Sequence, residues 1–177
     1  MLSLIQLILM VAATTTQPTS GPATQPAFPQ SWTGRWTGPA TIASTAGRET
    51  SFEMELGIAP TDDPKRFTWE IVYISGGNRQ VRPYELLVVD AANGKYVIDE
   101  KSSILIDAAL IDGALYSQFL VGTVSITASY RISGDVLTVE LITTDPMRPL
   151  TSGGENQVPI VTTNLVKRVQ RAELRRK

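Results

Sequence analysis

The chain has 177 residues, a formal net charge of −1, and neither cysteine nor histidine. The lack of these two residue types excludes disulfides, thiol nucleophiles, histidine-ligated haem, most zinc sites and every catalytic triad that needs an imidazole base. The near-neutral charge gives the domain no field that would attract nucleic acid. We therefore expect no nucleic-acid partner, no metal site and no cofactor.

Residues 1–13 form an apolar run that ends in the small residues Val11, Ala12 and Ala13. A run of about a dozen residues is too short to cross a bilayer as a helix. Small residues at the end of such a run suit signal peptidase. The pattern predicts a signal peptide over residues 1–13, a secreted or periplasmic protein, and no membrane span.

Residues 14–31 contain four prolines among Thr, Gln, Ser and Gly. This composition predicts an extended, unpacked linker. Once both N-terminal segments are set aside, roughly 145 residues remain, which is the usual size of one domain.

Between residues 32 and 169, apolar and polar residues tend to alternate, and Gly or Pro clusters interrupt the alternation. This pattern predicts antiparallel strands in a barrel or a sandwich. No segment has helical periodicity over three turns, so we expect hairpins that join successive strands into a meander. The candidate strands are residues 32–42, 52–58, 67–74, 81–90, 96–100, 104–111, 115–121, 124–132, 136–143 and 160–169.

Turn residues predict the register of several hairpins. Asp112-Gly113 suits a two-residue type I′ turn, because both of its central positions need positive φ. Gly134 marks a second turn, which has two possible placements that leave the same residues facing inward. The first turn would pair Leu110 with Leu115, Ala108 with Ser117, Ile106 with Phe119, and Asp107 with Gln118.

A tight turn at Asn93-Gly94 gives a less consistent register. It would pair Val89 with Ile98, and Leu86 would then face the same way as Asp99 rather than Ile98. Either this connection is longer by an odd number of residues, or both faces of these strands are partly buried. The sequence leaves both explanations open.

Gly34-Arg35-Trp36 on the first candidate strand resembles the Gly-x-Trp signature of the calycins, the lipocalin-like superfamily. The resemblance implies that residues 32–169 form an all-β, antiparallel up-and-down barrel of about 8–10 strands. It also implies that Trp36 closes one end, with a basic residue of the last strand across its indole. Lys167, Arg168 and Arg171 are the candidates, and we expect Arg168; residues 170–177 would then be a basic C-terminal tail.

The chain departs from two branches of this superfamily. Residues 43–51 are too few for the helical lid of fatty-acid-binding proteins. Residues 144–159 hold too many Pro and Gly residues for the helix that precedes the last lipocalin strand. No defined ligand therefore follows from the resemblance.

Inward-facing aromatic side chains form the candidate ligand site. A barrel of this kind either encloses a cavity for a small apolar or amphipathic molecule or is filled by its own side chains. Both alternatives stay open at this stage. The predicted ligand-binding residues are Trp69, Tyr73, Tyr84, Tyr96, Phe119 and Tyr130.

Charged residues on two neighbouring strands are the only candidates for chemistry. Asp99 and Glu100 near Arg82 would support acid–base catalysis if one carboxyl were desolvated. Charges on adjacent strands are ordinarily solvated surface pairs, and we expect this arrangement here. We therefore predict no catalytic residue.

The leading interpretation is a secreted, non-enzymatic lipocalin-like barrel that binds a small apolar or amphipathic molecule. A structural or protein–protein interaction module of the cell envelope is the alternative. Residues 86–89 and 104–106 are apolar on both faces, which favours an outer surface covered by a second copy or an envelope partner.

Overall fold

The computed structural model describes residues 27–47 and 49–177 of the chain. The predicted signal peptide and most of the predicted linker lie outside these residues. Ten strands follow one another, interrupted by short 3₁₀ turns at Gln30–Trp32 and Ala91–Asn93. The strands are β1 (Gly34–Ser44), β2 (Glu49–Pro60), β3 (Arg66–Ser75), β4 (Asn78–Asp90), β5 (Lys95–Lys101), β6 (Ile104–Ile111), β7 (Ala114–Val121), β8 (Val124–Ser133), β9 (Val136–Ser152) and β10 (Val161–Arg176).

Each strand pairs antiparallel with its neighbours in sequence, and β1 also pairs with β10, so the sheet is a closed barrel. This confirms the prediction of an all-β, up-and-down barrel. In the described part of the chain, no helix is long and apolar enough to span a membrane.

The core lies inside the barrel because alternate residues of every strand point inward. On β2 and β3 the inward residues are apolar, and each outward residue meets solvent or a neighbouring side chain. Fully buried members of this core include Trp36, Met54, Leu56, Trp69, Leu86, Leu115, Leu137, Val139 and Leu174.

The connection between β4 and β5 is longer than a tight hairpin turn. Residues 91–93 form a 3₁₀ turn, and the register shifts between Val88 and Asp90. Leu86 is consequently opposite Ile98, and the two residues face the same way. The connection is therefore longer than a tight turn by an odd number of residues, which was the first of the two explanations for this hairpin.

The β6–β7 hairpin has the predicted turn and four of the six predicted pairs, which include Ile111 opposite Ala114 and Ala109 opposite Tyr116. Leu110 is opposite Leu115 and Ala108 is opposite Ser117, and the ladder ends there. The predicted pairs of Ile106 with Phe119 and of Asp107 with Gln118 do not form. In the neighbouring β5–β6 hairpin, the register shifts after Asp99 and residues 101–103 have positive φ. Because the β6–β7 ladder ends at Ala108 and Ser117, the wall has an opening between residues 104–107 and 118–121.

The last strand is longer than the sequence predicts. β10 continues to Arg176, with Ala172 and Leu174 buried inside the barrel. The predicted tail of residues 170–177 is therefore mostly barrel wall, because β1 and β9 pair with it on both sides and Ala172 and Leu174 are buried.

A two-stranded ribbon extends β9 and β10 beyond the barrel. It consists of residues 145–152 and 161–166, and it is non-helical, as predicted for residues 144–159. Apolar side chains of the ribbon and of the loop at its tip are exposed: Leu150 is 70% exposed, and Ile160 in the loop is 70% exposed. On the barrel itself, Leu105 is 66% exposed. That a second copy or an envelope partner covers these exposed side chains stays a prediction.

Gly38 lies on β1 where this strand passes closest to β10. A Cβ atom at this position would lie 2.2 Å from the backbone carbonyl oxygen of Glu173. The pairing of β1 with β10 also skips from Thr37 to Ala40 here, since Pro39 has no N–H to donate. Only glycine permits this approach of two backbones, so the seam that closes the barrel requires it.

We expect Gly38→Ala to lower the free energy of unfolding by about 2–3 kcal/mol, because the added methyl forces the two seam strands apart. Urea denaturation measures this loss. Gly57→Ala on β2 is the matched control, since its Cβ would meet no atom closer than 3.8 Å. An equal loss in the two variants would contradict the role of Gly38 in the seam.

Candidate functional site

Trp36 closes one end of the barrel. Its side chain is fully buried, and its indole Nε1 donates a hydrogen bond to the backbone oxygen of Trp32 at 3.0 Å. The guanidinium of Arg176 lies over the indole, 4.5 Å from the ring centroid. The same guanidinium donates to the carbonyl oxygens of Thr33 at 3.0 Å and Ser31 at 3.3 Å. The predicted stacking of a basic residue on Trp36 is thus present.

The prediction of Arg168 for this position is wrong. In the antiparallel pairing of β1 with β10, Trp36 is opposite Arg176, whereas Arg168 is opposite Ser44 at the other end of β1. The strand was expected to end near residue 169, so the basic residue at its true end was assigned to the tail.

An aromatic layer lies beneath Trp36 and completes the closure. Phe28 contacts Trp32 edge-on, with ring centroids 4.7 Å apart, and contacts Tyr96 at 4.9 Å. Trp32 stacks in turn against Trp69 at 6.5 Å. Residues 28–31, the last of the predicted linker, are therefore packed against the barrel. In the sequence, Phe28 is a large apolar residue in an otherwise polar segment, and this was the one signal that these residues pack against the barrel.

We expect Arg176→Gln to lower the free energy of unfolding by about 1 kcal/mol, because it removes the cation from the face of Trp36. Arg168→Gln removes the same charge from the far end of the same strand and should change stability by less than half as much. Thermal unfolding of the two variants measures the difference. A larger loss for Arg168→Gln would contradict the assignment of Arg176.

The opposite end of the barrel leads into an interior cavity of about 390 Å³. The cavity reaches Val121 and Val124 at the β7–β8 hairpin, and Trp69 and Tyr130 form its inner part, with ring centroids 5.2 Å apart. Of the two alternatives left open by the sequence, the barrel is therefore hollow rather than filled.

Five of the six predicted site residues line this cavity. They are Trp69, Tyr73, Tyr84, Phe119 and Tyr130. Tyr96 does not line it, because it is buried in the closed end against Phe28. Alternation along the strands predicts that all six side chains point inward. It does not predict how far along the barrel axis each of them lies.

Arg82 and Glu100 also line the cavity, which corrects their assignment to solvated surface pairs. Arg82 lies on the inward face of β4 with Leu86, and Glu100 lies on the inward face of β5 with Ile98, which is opposite Leu86. Arg82 Nη1 donates to the Tyr84 hydroxyl at 3.1 Å, and its guanidinium lies 5.5 Å from the centroid of the Tyr73 ring.

Asp99 lies on the outer face of β5, so it cannot act together with Glu100. Its neighbour Glu85 pairs with Arg66 at 2.7 Å and with Lys101 at 2.8 Å. Hydrogen bonds from Lys101 and then from Arg66 lower the pKa of Glu85. This cluster is an outer-surface ion network and offers no desolvated carboxyl for catalysis.

Burial controls the protonation of the tyrosines in the cavity. Desolvation raises the pKa of Tyr130 and that of Tyr73 above the ordinary value for tyrosine. At neutral pH the interior therefore presents the neutral phenols of Tyr73 and Tyr130, together with the side chains of Arg82 and Glu100.

No protein-family model matches this chain. No curated protein matches it in sequence either.

Three solved structures of low sequence identity are similar to this fold. The S-type phycobiliprotein lyase CPES from Guillardia theta matches with a TM-score of 0.56 and 10% identity, over 82% of this chain and 88% of that one. Rv2717c from M. tuberculosis matches with a TM-score of 0.52 and 17% identity, over 82% of this chain and 92% of that one. A DUF3598-family protein of unknown function from Nostoc punctiforme matches with a TM-score of 0.56 and 12% identity, over 82% of this chain but 47% of its own.

These similarities extend to the fold alone. Together with the closed ten-strand meander and the Trp36 closure, they define the chain as a calycin-like β-barrel.

Proposed function

We propose that this barrel binds a small apolar or amphipathic molecule inside its cavity. The observation that carries the proposal is the hollow interior itself. A cavity of about 390 Å³ falls within the range of small-molecule sites, and aromatic and aliphatic side chains form most of its wall. At about 30 Å³ per water-sized group, this volume suits a ligand of roughly a dozen non-hydrogen atoms.

Two features support access to this cavity from solvent. Among the described residues, no tryptophan lies at the end near Val121 and Val124, whereas Trp32 and Trp36 close the other end. The wall also separates between residues 104–107 and 118–121, beside the cavity residues Ile106 and Phe119. A ligand can therefore reach the interior without disturbing the closed end.

The similarity in fold to a phycobiliprotein lyase supports an interior site, and we do not propose that activity for this chain. The interior holds one carboxylate, and Asp99 faces away from it. We therefore propose a binding protein rather than an enzyme.

We expect the neutral fluorescent probe N-phenyl-1-naphthylamine to bind the protein and to be displaced by dodecanol. Ile126→Trp fills the cavity from its wall and should weaken binding at least tenfold. Thr127→Trp adds the same ring to the outer face of β8 and should leave binding unchanged. Fluorescence titration measures both affinities.

Binding that is equal in these two variants would place the probe outside the barrel. Absence of binding by the wild-type protein, with a folded circular-dichroism spectrum, would overturn the proposed function.

We also propose export, on the support of the apolar run over residues 1–13 and its small terminal residues. In a bacterial host with a periplasm, we expect the intact mass of the mature protein to correspond to a chain that begins at Thr14. Ala13→Asp should block this cleavage, whereas Thr15→Asp should not. A full-length chain in the cytoplasm would contradict the proposal.

A further inference from the structure

Three buried side-chain nitrogen donors in the described part of the chain lack a well-directed hydrogen bond, although the Tyr130 hydroxyl is near Trp69 and that of Tyr73 is near Gln170. They are Trp69 Nε1, Arg82 Nε and Gln170 Nε2. Trp69 and Arg82 line the cavity, and Gln170 lies on the inward face of β10 with the buried Ala172. No buried side-chain oxygen of the described residues is left unpaired in this way. The unpaired buried side-chain groups of the described residues are therefore all donors.

An unpaired buried donor is unfavourable, and native proteins rarely leave several of them together. An acceptor supplied from outside the chain would satisfy these groups. The ligand that best fits this interior therefore carries acceptor oxygens as well as an apolar body.

Arg82 is the donor whose geometry is most specific. Its hydrogen bond goes to the neutral Tyr84 hydroxyl at 3.1 Å rather than to a carboxylate, so its charge is not neutralised by that partner. Its Nε remains unpaired. A guanidinium presents its N–H groups in a planar fork that matches the two oxygens of a carboxylate or a comparable oxyanion.

Glu100 lines the same cavity and sets a limit on the ligand charge. Its carboxylate repels negative charge, so one anionic group is favoured over two. A cationic ligand would be attracted to Glu100 but repelled by Arg82, and it would leave the unpaired donors without acceptors.

We propose that Arg82 binds the head group of a monoanionic amphiphile, such as a medium-chain carboxylate, whose apolar body lies against the aromatic wall. This inference rests on the proposed binding function and adds the chemical class of the ligand. Tyr73 and Tyr84 hold the guanidinium in place, through the ring face of the first and the hydroxyl of the second.

The test compares dodecanoate with dodecanol at pH 8 by isothermal titration calorimetry. The two probes share one chain and differ in the charge of the head group. We expect the wild-type protein to bind dodecanoate at least tenfold more tightly than dodecanol. Arg82→Gln should reduce this preference to less than twofold, because it weakens the binding of dodecanoate more than that of dodecanol.

Arg79→Gln is the matched control. Arg79 lies on the outer face of the same strand and pairs with Glu55 at 2.9 Å, so its loss should leave the preference for dodecanoate at tenfold or more.

Arg82→Lys keeps the positive charge but loses the planar fork of N–H donors, and it should retain part of the preference for dodecanoate. It also provides a second variant if Arg82→Gln does not fold. Glu100→Gln should increase the affinity for dodecanoate.

The outcomes separate the two proposals. If neither probe binds, the proposed function itself is overturned. If dodecanol binds and dodecanoate binds no better, or if Arg82→Gln keeps the preference, only the inference about Arg82 is overturned. Tighter binding of dodecyltrimethylammonium than of dodecanoate would also overturn it. Competition by millimolar acetate as strong as that by dodecanoate would show a site for small anions without an apolar body, which also contradicts the proposal.

Discussion

The pairing of β1 with β10 is the constraint on which the rest of this structure depends. It converts a meander of hairpins into a closed wall, and it brings Arg176 at the end of the last strand over the indole of Trp36. Gly38 permits the two backbones to approach at this seam. Without the closure, the inward faces of the ten strands would have no common interior.

The closure also explains why the interior is hollow at one end only. Barrel diameter grows with strand number, and eight strands already leave only enough space for side chains or one small ligand. Ten strands need additional material to fill the interior. At the closed end Phe28, Trp32 and Trp36 supply it, whereas the interior towards Val121 and Val124 keeps a cavity.

Strand parity separates the charges of β4 and β5 into two environments. Glu85 and Asp99 point outward and join an ion network with Arg66 and Lys101. Arg82 points inward, where solvent does not screen its charge as effectively. The same alternation that buries apolar residues thus places one cation beside the aromatic wall.

The sequence predicts the strands, their order and the inward direction of most core residues, because period-two alternation is a local signal. It also predicts Trp36 as the closing residue, on its resemblance to the calycin signature. It does not predict the partner of Trp36, since that depends on where β10 ends. The match between the inward faces of β4 and β5, which include Arg82 and Glu100, depends on the parity of one loop, which the sequence left open. The β6–β7 ladder ends at Ala108 and Ser117, and this end has no local signature in the sequence.

The central claim is that one end of this barrel is closed by aromatic residues and that the remainder of its interior is a binding cavity. A crystal structure of the protein grown with dodecanoate tests this claim most directly. The account predicts density for the ligand inside the barrel, in contact with Trp69 and Tyr130, with Trp36 still buried beneath Arg176. Ligand density confined to the outer surface, or an interior filled by collapsed side chains, would contradict it.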